Sequence, residues 1–158
     1  MFRKRERKAR VLFVDEKNDL VSQLAEYFTR EYFGDMYEVY SAGPKHDLVD
    51  CEMISVMYQR GEDIRRQVSK DFRDRDHLRD DEDYDIVVFL RKDVFDEWAG
   101  RTPWQGKQVL CEMGSAEDFD ATDDLELANC YSDLIDRVSR WVKENMDDPG
   151  RLGSMISA

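Results

Sequence analysis

Cysteine, histidine and proline are scarce in this chain, and the scarcity is informative. The three cysteines, Cys51, Cys111 and Cys130, lie far apart and form no C-x-x-C pair. That spacing removes zinc-ribbon and thioredoxin-type readings and leaves three reduced, mostly buried thiols as the expectation. The two histidines, His46 and His77, fall in charged stretches and read as surface residues. No apolar run approaches the roughly 20 residues that a membrane span requires. The first residues, Met1-Phe2-Arg3-Lys4-Arg5-Glu6-Arg7-Lys8, are too polar for a secretory leader. A soluble cytoplasmic protein is the expectation. Lys and Arg number 24 against 36 Asp and Glu, a net charge of −12. Phosphate backbones are repelled by such a surface, which disfavours a nucleic-acid interface over the body of the chain. The local exception is the start, where six of the first ten residues are basic. A solvated tail over residues 1–9 is expected there, with contact to an acidic partner or nucleic acid as the alternative.

What is present is an alternation of strand and helix patterns. Val11-Leu12-Phe13-Val14 centres a strand over 10–15 that is apolar enough to be buried on both faces. A helix follows from about 18 to 33, with Leu20, Leu24, Ala25, Phe28 and Tyr32 on one side, Asn18 or Asp19 as its N-cap, and Gly34 after it. Tyr37 to Gly43 reads as a second strand. Residues 50–60 read as a helix with Met53, Ile54, Met57 and Tyr58 inward. Residues 62–83 alternate in charge and suit a solvated helix or loop anchored by Val68 and Phe72. Tyr84 to Leu90 is the clearest strand, and a short helix over 92–99 carries Val94, Phe95 and Trp98. A turn over 100–106 leads to a fourth strand at 108–111. A last helix over 124–145 sets Leu127, Tyr131, Leu134, Ile135, Val138, Trp141 and Val142 on one stripe. Trp98, Trp104 and Trp141 read as packing residues, with Trp104 exposed enough in its loop to touch a partner. Residues 147–158 read as a frayed tail.

This order predicts an α/β domain over 10–146, a three-layer α/β/α sandwich around a four-stranded parallel sheet of order 2-1-3-4. The tip of the first strand, at Asp15, then lies at a switch point where a pocket is expected.

Several short stretches, taken in order, resemble the low-molecular-weight protein tyrosine phosphatases and the related thioredoxin-type arsenate reductases. They are the first strand and loop followed by Ser22-Gln23-Leu24-Ala25-Glu26, Ser41-Ala42-Gly43, Ile54-Ser55-Val56-Met57 with Gly61-Glu62-Asp63-Ile64 and Ser69-Lys70, and Tyr84-Asp85-Ile86-Val87-Val88. Gly114 to Asp118 resembles the stretch that holds the family's general acid. The likeness covers roughly residues 10 to 145 and implies a C-x5-R-S phosphate loop at 15–22. In that motif a cysteine thiolate attacks phosphorus, and loop N–H groups and an arginine hold the oxygens. Here the cysteine position is Asp15 and the arginine position is Val21. Asn18 and Ser22 fit the pattern. Asp118 fits the acid, although Phe119 replaces the proline that follows it. A carboxylate is a far weaker nucleophile than a depressed-pKa thiolate, and valine offers neither charge nor hydrogen bonds.

The resemblance with these replacements implies a pseudophosphatase, a binding or regulatory module without the family's chemistry. The binding positions would be Asp15, Glu16, Lys17, Asn18, Asp19 and Ser22. The acidic loop suits a protein partner or a small cationic ligand. No cofactor is required; a divalent cation held by Asp15, Glu16, Asp19 and Asp118 is the open alternative. Three enzymatic or signalling alternatives stand beside this. One is a residually active phosphatase. Another is an aspartate-nucleophile phosphatase, for which the second aspartate would fall at Lys17. The third is a receiver-like domain binding magnesium through Asp15 and Glu16. A working cysteine, Cys51 at a helix start or Cys111 at a strand end, is a further enzyme reading.

Overall fold

The computed structural model describes residues 7–152. Six stretches alternate within it: β1 (Ala9–Val14), α1 (Val21–Phe33), β2 (Tyr37–Ala42), α2 (Cys51–Gln59), β3 (Asp83–Phe89) and α3 (Lys92–Trp98). β4 (Gln105–Leu110), α4 (Asp124–Asn145) and a short α5 (Pro149–Leu152) complete the chain, with one 3₁₀ turn at Ala116–Asp118. All strand pairs are parallel and the order is β2-β1-β3-β4, as the sequence predicts.

β1 is central because its side chains suit two faces at once. Val11 and Phe13 point into the core beneath α1, α2 and α4. Leu12 and Val14 point into a second core with Tyr84, Val87, Phe89, Val94 and Trp104. Period-two alternation makes this partition unavoidable for an all-apolar strand between two layers. Val14 pairs with Ala42 on one side and with Phe89 on the other, so three strand ends converge beside Asp15.

The first helix starts at Val21, and neither Asn18 nor Asp19 caps it; Leu20 holds the cap position without a side-chain bond. Three extra residues are thereby released into a loop, which Asn18 turns by adopting φ +52°. Asparagine tolerates that left-handed region better than most residues. β4 starts at Gln105, inside the stretch expected to be a turn, because its register with β3 begins at Asp83.

Several burial expectations are corrected. Tyr32 is 36% exposed, its hydroxyl hydrogen-bonded to Ser139 and its ring stacked on Phe28. Tyr58 is also exposed, with the Arg65 guanidinium over its ring, and Val56 takes the inward place. Val68 is exposed, while Ile64 is the buried anchor of the 62–83 stretch. That stretch holds no helix and pairs only through one isolated bridge, Gly43 to Asp71. Phe72 is an anchor as expected, edge-on to Trp98 and Trp104. Trp104 is buried by those contacts and offers no partner surface.

The cysteines are less buried than expected: Cys51 is exposed, and Cys111 and Cys130 are half-buried. His46 and His77 sit at the surface, facing Asp71 and Asp74 respectively. At the chain ends, Ala9 already belongs to β1, and Arg7 is not solvated tail but forms a two-pronged pair with Asp85 at 2.8 and 2.9 Å. The expected fraying after 146 is replaced by α5, whose Leu152 is fully buried. Residues 1–6 and 153–158, which carry the remainder of both expected tails, lie outside the described residues. Among the described residues no helix is long and apolar enough to cross a membrane.

Candidate active-site loop

β1 delivers Asp15 into a buried position at the start of the loop, 5% exposed. Its carboxylate is held from both sides. The Asn18 N–H donates to Oδ1 at 2.8 Å, and the Ser22 N–H, in the first turn of α1, donates to Oδ2 at 2.9 Å. Behind the loop, the Asn18 amide bonds Ser22 Oγ at 2.8 Å and Ser41 Oγ at 2.9 Å. Asn18 Oδ1 accepts from the Lys70 N–H at 2.8 Å and from Gln23 Nε2 at 2.9 Å. The Ser41 hydroxyl donates to Glu26. Glu26 is itself buried, 3.2 Å from Lys70 Nζ and 2.5 Å from Arg30 Nη2. A continuous polar network thus runs from Asp15 to Lys70 through the core side of the loop, and every member named has a partner.

The two buried acids respond oppositely. Burial pushes the Asp15 carboxyl up to about 6, against the Ser22 and Asn18 hydrogen bonds that favour its charge. Burial acts the same way on Glu26, but the charges of Lys70 and Arg30 and the Ser41 hydroxyl outweigh it, and the carboxyl lies below its ordinary value. For Asp15 the folded value is the higher one, so the folded state holds the proton more tightly. Its contribution is greatest at low pH and is lost as pH rises from about 4 through 6. Chemical denaturation of wild type and Asp15→Asn across that range is expected to show wild type losing stability relative to the variant, by on the order of 2–3 kcal/mol in total. A pH-independent difference would place the Asp15 titration outside this window.

In front of the loop lies a cavity of about 160 Å³. The loop contributes Asp15, Glu16, Lys17, Asp19, Leu20 and Val21; the opposite side is Asp50, Leu90, Arg91 and the turn from Gly114 to Glu117. Burial raises the Asp19 carboxyl; Lys17 opposes the shift and Asp50 and Asp47 reinforce it. Asp50 caps α2 by accepting from the Met53 N–H at 3.1 Å, and its other oxygen accepts from the Tyr131 hydroxyl at 2.7 Å. The Arg91 guanidinium bonds Asp93 at 3.0 and 2.9 Å and Glu117 at 3.0 Å. Five acidic residues therefore line the cavity against two basic ones, Lys17 and Arg91, the latter doubly engaged.

The predicted positions separate into three groups. Asp15, Glu16, Lys17, Asp19 and Val21 line the cavity as expected. Asn18 and Ser22 do not: both are fully buried behind the loop and shape it from the rear. Asp118 is also absent from the cavity wall. It lines the neighbouring groove, where its carboxylate accepts from the Ser115 N–H at 3.1 Å and closes a capping box. The proposed cation set Asp15, Glu16, Asp19 and Asp118 is accordingly not assembled, and among the described residues no group of three or more metal-ligating side chains is. Sequence reading missed Asp50, Arg91, Glu117 and Tyr131 in this site. Only Asp50 carried a signal, as an aspartate at the first position of the helix expected over 50–60. Burial pushes the Cys111 thiol up to about 11, which keeps it protonated and a poor nucleophile.

The chain is thus a four-stranded parallel α/β domain with a strand–loop–helix pocket at the tip of its central strand. The family model for low molecular weight phosphotyrosine protein phosphatase matches residues 10–143, and the chain belongs to that family. It is 34% identical over 87 residues to an arsenate reductase of Bacillus subtilis (strain 168), a stretch that spans 55% of this chain and 60% of that protein. Among solved structures it resembles an arsenate reductase in a phosphate-binding state, with TM-score 0.62 and 24% identity over 86% of this chain and 95% of that one. It also resembles a low molecular weight protein tyrosine phosphatase from T. tengcongensis, with TM-score 0.60 and 19% identity over 87% and 99%. At these identities the structures establish the fold. The receiver-like alternative finds no footing in it: β3 runs out into Leu90 and Arg91 with no carboxylate at its tip. The second aspartate of an aspartate-nucleophile phosphatase is also missing, since Lys17 stands there, 3.6 Å from Asp47.

Proposed function

We propose that this chain is a non-catalytic member of its family, a binding or regulatory module whose loop pocket receives a cationic group of a small ligand or protein partner. The observation that carries this reading is the state of Asp15. At the position where the resemblance puts the nucleophilic thiolate stands a carboxylate that accepts two backbone N–H groups and is 5% exposed. Such a group is held in place rather than poised for attack. At the arginine position, Val21 is 4% exposed and packs into the core. Loss of one guanidinium or one transition-state donor costs on the order of 3–4 kcal/mol, a factor of 10²–10³ in rate, before the missing covalent pathway is counted. The acids around the cavity add repulsion for a phosphate dianion and attraction for a cation.

The test is hydrolysis of a generic aryl phosphate by purified wild-type protein. No turnover above the buffer rate is expected at neutral pH. Turnover that falls on Asp118→Ala or Asp15→Asn would overturn the non-catalytic reading.

A further inference from the structure

A second cavity, of about 390 Å³, lies against the second core and shares no residue with the loop pocket. Its size falls within the range of ligand sites, about 300–1,000 Å³. The segment over 71–82 roofs it, bent by two turns. In the first, the Asp74 carboxylate accepts from the Asp76 and His77 N–H groups at 2.9 and 2.8 Å. In the second, the Glu82 N–H donates to the Arg79 carbonyl at 3.2 Å, with Glu82 at φ +56°. The floor is apolar: Phe72, Leu78, Tyr84 and the small uncovered part of Trp104, 8% of its surface. Phe72 and Tyr84 stand edge-on to Trp104, and a further ring entering the cavity can extend that edge-to-face packing. The rim is charged. Arg79 is committed to Glu38 and Asp81, and Asp74 to its own turn. The guanidinium groups of Arg73 and Arg75 make no ion pair or hydrogen bond among the described residues, and neither do the carboxylates of Asp80 and Glu82. The free cations stand where the segment enters the cavity wall, and the free anions where it leaves. Tyr84, 1% exposed, accepts from the Arg79 N–H at 3.1 Å and has no acceptor for its own hydroxyl proton among the described residues. A buried hydroxyl ordinarily finds one, and a ligand oxygen would supply it.

We infer that this cavity binds a small aromatic zwitterion such as a free aromatic amino acid. The ring lies on the aromatic floor, Arg73 and Arg75 take the carboxylate, and Asp80 and Glu82 take the ammonium. An aromatic anion would leave two carboxylates facing it, and an aromatic cation two guanidinium groups; a ligand with both charges answers the whole rim. The site lies apart from the loop pocket, so it stands or falls independently of the non-catalytic reading above.

Isothermal titration calorimetry of the wild-type protein with L-phenylalanine tests it. Saturable binding is expected, tighter by about tenfold than that of phenylpropionate, which lacks the ammonium, or phenethylamine, which lacks the carboxylate; that factor is the scale of one lost hydrogen bond to a charged group. L-Alanine, which lacks the ring, is expected to show no binding. The double variant Arg73→Ala/Arg75→Ala is expected to weaken L-phenylalanine by a similar factor and to leave phenethylamine unchanged. Asp80→Asn/Glu82→Gln is expected to weaken L-phenylalanine and to leave phenylpropionate no weaker. These four side chains bond nothing among the described residues, so both variants are expected to fold. No saturable binding of L-phenylalanine up to its solubility limit overturns the inference. Binding of phenylpropionate or phenethylamine as tight as that of L-phenylalanine does so too, since the cavity would then ignore one of the two charges. An equal effect of either double variant on all three aromatic ligands also overturns it, because a merely structural role would act that way.

Discussion

Lys70→Met is expected to destabilise the protein by about 3 kcal/mol, the low end of the cost of removing one partner from a buried ion pair. Lys70 is 5% exposed and Glu26 7%, and Nζ lies 3.2 Å from Oε1. Without the ammonium, Glu26 keeps Arg30, whose side chain is about half exposed, and the Ser41 hydroxyl. That residual pairing is the reason for the low end. Two further outcomes follow from the same chemistry. Glu26 lies below its ordinary carboxyl value in the wild type, so the stability it contributes is present above its unfolded value and lost on acidification. The deficit of Lys70→Met should therefore shrink on acidification, because Glu26 without the ammonium takes up its proton at a higher pH in the variant than in the wild type. The double variant Lys70→Met/Glu26→Gln, which leaves no buried unpaired charge and only the half-exposed Arg30 without its partner, should recover a large part of the loss. Denaturant unfolding of the single and double variants checks both; additive losses would show that the pair is not coupled.

The Lys70 backbone widens the effect to the site. Its N–H holds Asn18 Oδ1 at 2.8 Å, and its carbonyl accepts from the Gly43 N–H at 3.0 Å. The turn that contains the candidate site thus shares a network with a lysine 52 residues away in the chain.

The second large effect is a gain. Asp15→Cys combined with Val21→Arg is expected to bind inorganic phosphate and to raise aryl phosphate turnover by about two orders of magnitude over Asp15→Cys alone, the scale of one restored transition-state donor. Val21 lines the cavity although it is almost fully buried, so a longer side chain there has an exit into the cavity. Glu16 and Asp19 remain and limit the gain by repulsion. Phosphate-dependent thermal shift and hydrolysis assays read the two parts separately. A well-folded double variant that ignores phosphate would count against assigning positions 15 and 21 to nucleophile and anion holder.

The fold was legible because its determinants are local and periodic. Val11 to Val14 is apolar at every position, which only a strand between two layers can satisfy, and structure places its residues alternately in the two cores. The stripe from Leu127 to Val142 spaced α4 correctly, with its boundaries as expected. The errors fell where local pattern competes with tertiary contact. Asn18 has the chemistry of a helix cap, and by pattern alone it reads as one. It turns the loop instead, because Ser22, Ser41, Gln23 and Lys70 are assembled around its amide from three separate stretches of chain. Trp104 looked available in its loop, yet Phe72 and Tyr84 close over it.

Alone, the order of residues determined the alternation of strands and helices, the sheet order and an acidic pair at the tip of the central strand, since each follows from periodicity or from neighbours in the chain, and its short motifs carried the family resemblance. Only the tertiary structure decided what those acids do. It turned Asp15 inward onto two amides, kept Asp118 off the cavity wall, and brought Asp50, Arg91 and Glu117 to the wall from distant segments. The physical reason is that charge and hydrogen bonding at a pocket are sums over groups close in space, and the chain brings those groups together only when the sheet has formed.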